Sequence, residues 1–239
     1  ESSRFGMGVE NRIIFNNGLN FGFLWVKPRY YEKIDSELAG YSGFKINEEN
    51  ELKAYYISKK MNNTEETAQL MSFTAELKPV ESLYFDLEYS RGFFMDKADN
   101  AFRSNINAHF SVFNISGNYF FTGKNYPGYF SNSTFYSGNI SANLSNKLSL
   151  GVYAKEDFRN AALDTFFVTA PYSKSFQAFI NYNIAPRAHV KLYWRDYERK
   201  DRLVQDKFHY KTRSVNTRFK HRFRKINYSL LGQYGTTTN

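Results

Sequence analysis

Polar and apolar side chains alternate at every second position over nearly the whole chain, and this alternation constrains the fold more than any other feature. From Thr134 the even positions read Thr134, Tyr136, Gly138, Ile140, Ala142 and Leu144, while the odd positions between them are mostly Ser and Asn. After a short link at Ser145–Lys147 the pattern resumes with Leu148, Leu150, Val152 and Ala154 against Ser149, Gly151, Tyr153 and Lys155. Phe176, Ala178, Ile180 and Tyr182 then alternate with Gln177, Phe179 and Asn181. Beyond Ala185–Pro186–Arg187, Val190, Leu192 and Trp194 alternate with His189, Lys191, Tyr193 and Arg195. A period of two sends successive side chains to opposite faces of a strand, so each run predicts a strand with one polar and one apolar face.

The same grammar predicts about fourteen strands, at 5–15, 19–31, 37–46, 51–61, 68–78, 82–94, 101–114, 115–125, 132–144, 147–158, 173–184, 187–200, 206–223 and 225–236. Turn-forming clusters separate them, at Asn16–Asn17–Gly18, Asn47–Glu48–Glu49–Asn50, Asn62–Asn63–Thr64 and Lys97–Ala98–Asp99–Asn100. Links this short join consecutive strands as hairpins, which predicts an antiparallel up-and-down meander and not a Greek key. Many runs exceed the usual five or six residues of globular strands and reach the nine to eleven that a tilted membrane strand needs. The stretch Arg159–Lys174 is the longest break in the pattern. It is expected to form an extracellular loop, with Pro171 opposing strand continuation.

Composition separates a membrane sheet from a soluble one. Aromatics are 19% of the 239 residues, with 24 Phe and 19 Tyr, yet the hydrophobic fraction is only 42%. Abundant aromatics in a polar background suit a sheet with one face toward lipid and the other toward water. Pairs such as Phe93–Phe94, Tyr119–Phe120–Phe121, Tyr126, Tyr129–Phe130 and Phe166–Phe167 fall near strand ends, where an aromatic girdle at a bilayer surface is expected. No apolar run approaches the roughly 20 residues of a membrane helix, so insertion would have to be as a closed barrel. Glu1–Val9 lacks a charged and an apolar leader region, so a leader is expected to have been removed or to lie outside these residues. The final Gly235–Asn239 carries no terminal aromatic, as expected for an internal piece of a longer barrel or for a barrel whose last strands are absent. The competing soluble reading is a β-sandwich that binds carbohydrate or another ligand through its aromatic face.

Catalytic and metal chemistry finds little support. The chain has no Cys, which excludes a disulfide framework, a cysteine-ligated zinc site and covalent haem. His109, His189, His209 and His221 are not spaced as H-E-x-x-H, and no carboxylate cluster accompanies them. No catalytic residue, metal site or cofactor is therefore expected.

Charge is more informative. The net charge is +9, and from Arg187 to Lys225 fourteen Lys and Arg face only four Asp and Glu. Lys191 and Arg195 share one face of a predicted strand. Arg218, Lys220, Arg222 and Arg224 share one face of the next. These residues, led by Lys191, Arg195, Arg218, Lys220 and Arg222, are expected to form a basic stripe on the polar face. Ile140, Leu150, Ile180, Leu192, Phe219 and Leu230 are expected to meet lipid. Such a stripe can favour anionic solutes, hold an acidic plug or partner protein, or pair with acids such as Asp86 and Glu88. Nucleic acid is not an expected partner, because the alternation confines the charge to one side of a sheet.

The succession Leu148–Val152, Phe176–Tyr182, Val190–Arg195 and Phe219–Tyr234 resembles large outer-membrane barrels of Gram-negative bacteria. The run Y-W-R-D-Y-E-R-K-D-R at 193–202 is similar in style to long strands in the sheath porins of electron conduits and in usher-like export barrels. The resemblance implies a single transmembrane β-barrel domain over 1–239 in the bacterial outer membrane, all-β, antiparallel and up-and-down. It implies a non-enzymatic pore or export and assembly scaffold with a polar, partly basic lumen. The implied partners are membrane lipid or lipopolysaccharide, and a plug, lipoprotein or cargo protein in the lumen.

Overall fold

The alternation forms strands throughout. The computed structural model describes residues 7–27, 34–61, 66–128, 130–204, 207–223 and 225–239, and among these there is no helix. The first strands are β1 (Met7–Ile14), β2 (Leu19–Lys27), β3 (Ile34–Lys45), β4 (Glu51–Met61), β5 (Thr67–Val80), β6 (Leu83–Phe94) and β7 (Lys97–Phe110). They are followed by β8 (Phe113–Thr122), β9 (Ser133–Asn143), β10 (Leu148–Arg159), β11 (Pro171–Ala185), β12 (Ala188–Asp201), β13 (His209–Phe223) and β14 (Ile226–Thr238). All fourteen belong to one sheet in which spatial order follows chain order, the up-and-down antiparallel arrangement that the short links predict. The turn at 62–64, Tyr129 and Arg224 lie outside the described residues.

The chain divides into two compact units, Glu1–Asn105 with Phe120–Ser133, and Ile106–Tyr119 with Thr134–Asn239. In the first unit the β4–β5 register sets Tyr55 opposite Ser72 and Lys59 opposite Ala68, and β6 continues the row with Ser90 opposite Ser72. Tyr56, Met71, Phe73 and Tyr89 occupy the other face. Hairpin β1–β2 closes at Gly18, whose φ of +86° is a conformation that glycine adopts without strain.

In the second unit β10 to β14 run in continuous register. Leu150, Ile180 and Leu192 align as one row, and Val152, Ala178, Trp194, Val215 and Tyr234 as the next. On the opposite face Ser149, Asn181, Lys191 and Arg218 align, followed by Gly151, Phe179, Tyr193 and Asn216.

Burial is inverted relative to a soluble protein. Of the described residues, the buried polar or charged side chains include Asn20, Lys59, Ser72, Ser90, Thr122, Ser175, Ser214 and Asn216. The buried hydrophobics are Ile34, Leu70 and five alanines. Large apolar residues are exposed instead, among them Phe73, Ile140, Leu150, Ile180, Leu192, Trp194 and Leu230. Ordinary folding buries apolar surface for roughly 25 cal/mol per Å². Here much of that surface stays exposed on one face of the sheet.

Two turns depart from expectation. The predicted turn at Lys97–Asn100 is part of β7, and the chain reverses at Met95–Asp96. The predicted break near 114 falls at Ser111–Val112. Met95 and Ser111 take positive φ of 52° and 51°, which their side chains do not advertise. Pro171 does not end a loop but opens β11, a first-residue position where its missing N–H does no harm.

Candidate functional site

The five basic residues singled out in the sequence lie on one face of β12 and β13. Lys191 is directly opposite Arg218, Lys220 is opposite His189, and Arg195 is opposite Ser214. Arg222 follows at the next position of the same face, its amide hydrogen-bonded to the Arg187 carbonyl at 2.8 Å. Like charges directly opposite on paired strands destabilise a sheet, so Lys191 and Arg218 are not placed there for stability.

Aromatic rings interleave the cations along β12. Lys191 Nζ lies 4.4 Å from the Phe179 ring centre and 5.6 Å from that of Tyr193, and the Arg195 guanidinium lies 4.7 Å from Tyr197. Arg199 extends the series, its Nη1 donating to Tyr210 Oη at 3.5 Å. Arg199 is not among the stripe residues expected from the sequence, although its i+4 spacing from Arg195 marks it. Cations at 191, 195 and 199 are each about 13 Å apart along the strand. Ring faces attract these cations without cancelling their charge.

No ion pair engages Lys191, Arg195, Arg218, Lys220 or Arg222 among the described residues. Arg195 Nε is buried and has no hydrogen-bond partner. The acids considered as counter-ions are occupied within the first unit. Arg103 Nη2 lies 3.4 Å from Asp86 and 3.2 Å from Glu88, and Asn105 donates to Asp86 at 2.8 Å. Of the three uses weighed for the stripe, pairing with Asp86 and Glu88 is not seen among the described residues.

The first unit carries a separate cavity of about 240 Å³, lined by Glu37, Lys59, Glu88 and Arg103 among apolar walls. Its roof is built from residues 123–128 and 130–132, which fold onto the polar face. Tyr126 Oη donates to Ser90 Oγ at 2.8 Å, and a Cβ on Gly92 would lie 2.3 Å from Pro127 Cδ. Asp99 holds the segment's start by accepting from the Asn125 amide at 2.9 Å. Tyr126, expected at a girdle, therefore sits on the polar face. Phe166 and Phe167, expected there as well, lie in the loop at 160–170.

Histidines do not converge. His109 pairs with Asn114, His209 with Glu198 and His221 with Tyr228, and among the described residues no group of three or more His, Asp or Glu is placed to hold a metal ion.

No protein-family model and no curated protein matches the chain. Among solved structures, the crystal structure of Acinetobacter baumannii OccAB2 is similar at 12% identity and a TM-score of 0.46, over 94% of this chain and 67% of that one.

Proposed function

We propose that this chain forms the wall of a bacterial outer-membrane β-barrel, with the polar face lining a water-filled lumen and the apolar face in lipid. The observation that carries the reading is the inverted burial: Ser175, Ser214 and Asn216 are buried on the face that carries the basic stripe, whereas Leu150, Ile180, Leu192 and Trp194 are exposed on the other. A soluble β-sandwich would turn the second set inward. Charge supports the same assignment, since a Lys or Arg in lipid at mid-membrane costs about 2–4 kcal/mol.

Within this reading the role is passive and non-catalytic. Lys191, Arg195, Arg218, Lys220 and Arg222, with Arg199, supply positive charge that internal acids leave uncompensated. A solute carrying carboxylate or phosphate would exchange part of its hydration for successive cations along the wall. The segment 123–128 narrows the polar face of the first unit by seating Tyr126 and Pro127 upon it. The same uncompensated charge would also suit an acidic plug or cargo segment.

Two measurements test the proposal. Heat-modifiable gel mobility in detergent reports a closed barrel, and its absence together with a monodisperse detergent-free protein would overturn the membrane reading. Planar-bilayer conductance with a salt gradient then reports selectivity. Anion preference that falls on neutralising Arg218 and Arg222 is expected of a pore. Poor conductance with a co-purifying acidic protein is expected of a scaffold.

A further inference from the structure

Along the polar face of β12 cations and rings alternate strictly. Every second residue from 191 reads Lys191, Tyr193, Arg195, Tyr197 and Arg199. The cations recur at every fourth residue, about 13 Å apart, and the five positions span about 27 Å of strand. That approaches the roughly 30 Å of a bilayer's hydrocarbon core. At the Lys191 end, Arg187, His189, Lys220 and Arg222 line one pocket of about 550 Å³, which extends the positive charge to the link between β11 and β12.

The flanking strands do not neutralise this row. Opposite Arg195 lie Gln177 and Ser214, and opposite Tyr197 lie Ser175 and Thr212. From Ser173 to Asn181 and from Tyr210 to Arg218 neither strand contains a carboxylate. Hydroxyl and amide groups therefore border the cations on both sides. Two buried polar atoms beside the row, Ser175 Oγ and Arg195 Nε, have no hydrogen-bond partner among the described residues.

Even spacing is the informative property. A small anion needs one cluster of cations, and the pocket at Arg187 would serve it alone. Cations repeated at one interval match a ligand that repeats its own charge and engages several of them together. The interval decides its class. Nucleic-acid phosphates lie much closer, about 3.4 Å apart along each strand of a duplex, than the roughly 13 Å between these cations. An extended acidic peptide recognises a sheet through backbone hydrogen bonds, and both edges of β12 are already paired. Carboxylates held apart by uncharged, hydroxyl-bearing rings fit what remains. The cations meet the acids, the bordering hydroxyl and amide groups meet the sugar hydroxyls, and Tyr193 and Tyr197 offer apolar ring surface with a polar tip.

We propose that this row binds an acidic oligosaccharide, a polyuronate in chemical terms, laid along β12 as the solute that the wall conducts. The assignment rests on the barrel reading above and names the class of anion for the same stripe.

The full chain in detergent is titrated calorimetrically, at one ionic strength, with galacturonic acid, its hexamer, maltohexaose, hexaglutamate and a six-nucleotide oligothymidylate. The galacturonate hexamer is expected to bind about a hundredfold more tightly than the monomer, because linked carboxylates engage successive cations. Arg195→Gln removes the middle cation and is expected to weaken the hexamer about tenfold while leaving the monomer within about twofold. Should that variant fail to fold, Arg199→Gln at the end of the row is expected to weaken the hexamer about fivefold. Equal affinity of monomer and hexamer, or an unchanged hexamer affinity in the variant that folds, would overturn the row as a binding track. Maltohexaose, hexaglutamate or the oligothymidylate binding as tightly as the galacturonate hexamer would overturn the acidic-saccharide assignment. A wild-type chain without heat-modifiable mobility would overturn the barrel itself, and that is observed before any ligand is added.

Discussion

Lys191 and Arg218 face each other across the β12–β13 ladder with no carboxylate paired to either among the described residues. A directly opposed like-charge pair costs sheet stability, and the nearby rings of Phe179 and Tyr193 relieve Lys191 only in part. Lys191→Gln is therefore expected to stabilise the fold by about 0.2–1 kcal/mol while reducing anion selectivity. Unfolding in denaturant and the reversal potential in a salt gradient measure the two effects. A loss of stability with unchanged selectivity would mean that the pair has a structural role.

The exposed apolar face distinguishes lipid from water as its surroundings. Leu192 is 43% exposed, and on a soluble protein its replacement by Lys would change stability by no more than about 0.5 kcal/mol. In the proposed barrel Leu192→Lys is expected to cost about 2–4 kcal/mol in lipid, whereas Gln233→Lys on the polar face of β14 costs little. Unfolding of both variants from liposomes, compared with wild type, gives the difference directly.

Much of this was legible before any coordinates, because a period of two assigns every residue of a strand to a face at once. That logic placed Lys191, Arg195 and Arg218 together and set Ile140, Leu150 and Ile180 opposite them. It fails where the chain leaves the strand. Met95 and Ser111 turn without Gly, Pro or Asn, so the β6–β7 and β7–β8 turns fell a few residues from their expected places. Tyr126 looked like a girdle aromatic because its segment carries no alternation to reveal that it folds onto the polar face. The cavity of Glu37, Lys59, Glu88 and Arg103 joins residues far apart in sequence, and no local pattern records that meeting.

Beside its hydrogen bonds to Asp99 and Ser90, the segment 123–128 depends on a close approach at Gly92. Only hydrogen on Gly92 leaves room for Pro127, since a Cβ would lie 2.3 Å from its Cδ. Gly92→Val is expected to lift the segment from the polar face and to speed tryptic cleavage after Lys124 by an order of magnitude or more for each roughly 1.4 kcal/mol of destabilisation. Tyr126→Phe removes only the bond to Ser90, a loss of about 1 kcal/mol, and should change cleavage less. Equal cleavage in wild type and Gly92→Val would show that packing against Gly92 does not hold the segment.

Asp201 ties the two long connections of the second unit together at the end of β12. Its Oδ1 accepts from the amides of Ala170 at 3.0 Å, Leu203 at 2.8 Å and Val204 at 3.3 Å, and Arg202 returns a bond from its amide to the Ala170 carbonyl at 3.0 Å. Ala170 is fully buried, so its amide has no water to turn to if the carboxylate is lost. Asp201→Ala is expected to release both connections, each orphaned amide costing on the order of 1–3 kcal/mol locally. Asp201→Asn keeps an acceptor oxygen and should retain part of the effect. Hydrogen exchange at Ala170, Leu203 and Val204 measures this amide by amide. All three should lose protection together in Asp201→Ala, while strand amides such as that of Ile180 stay protected. Independent loss at the three positions would mean that the two connections are held separately and that Asp201 does not couple them.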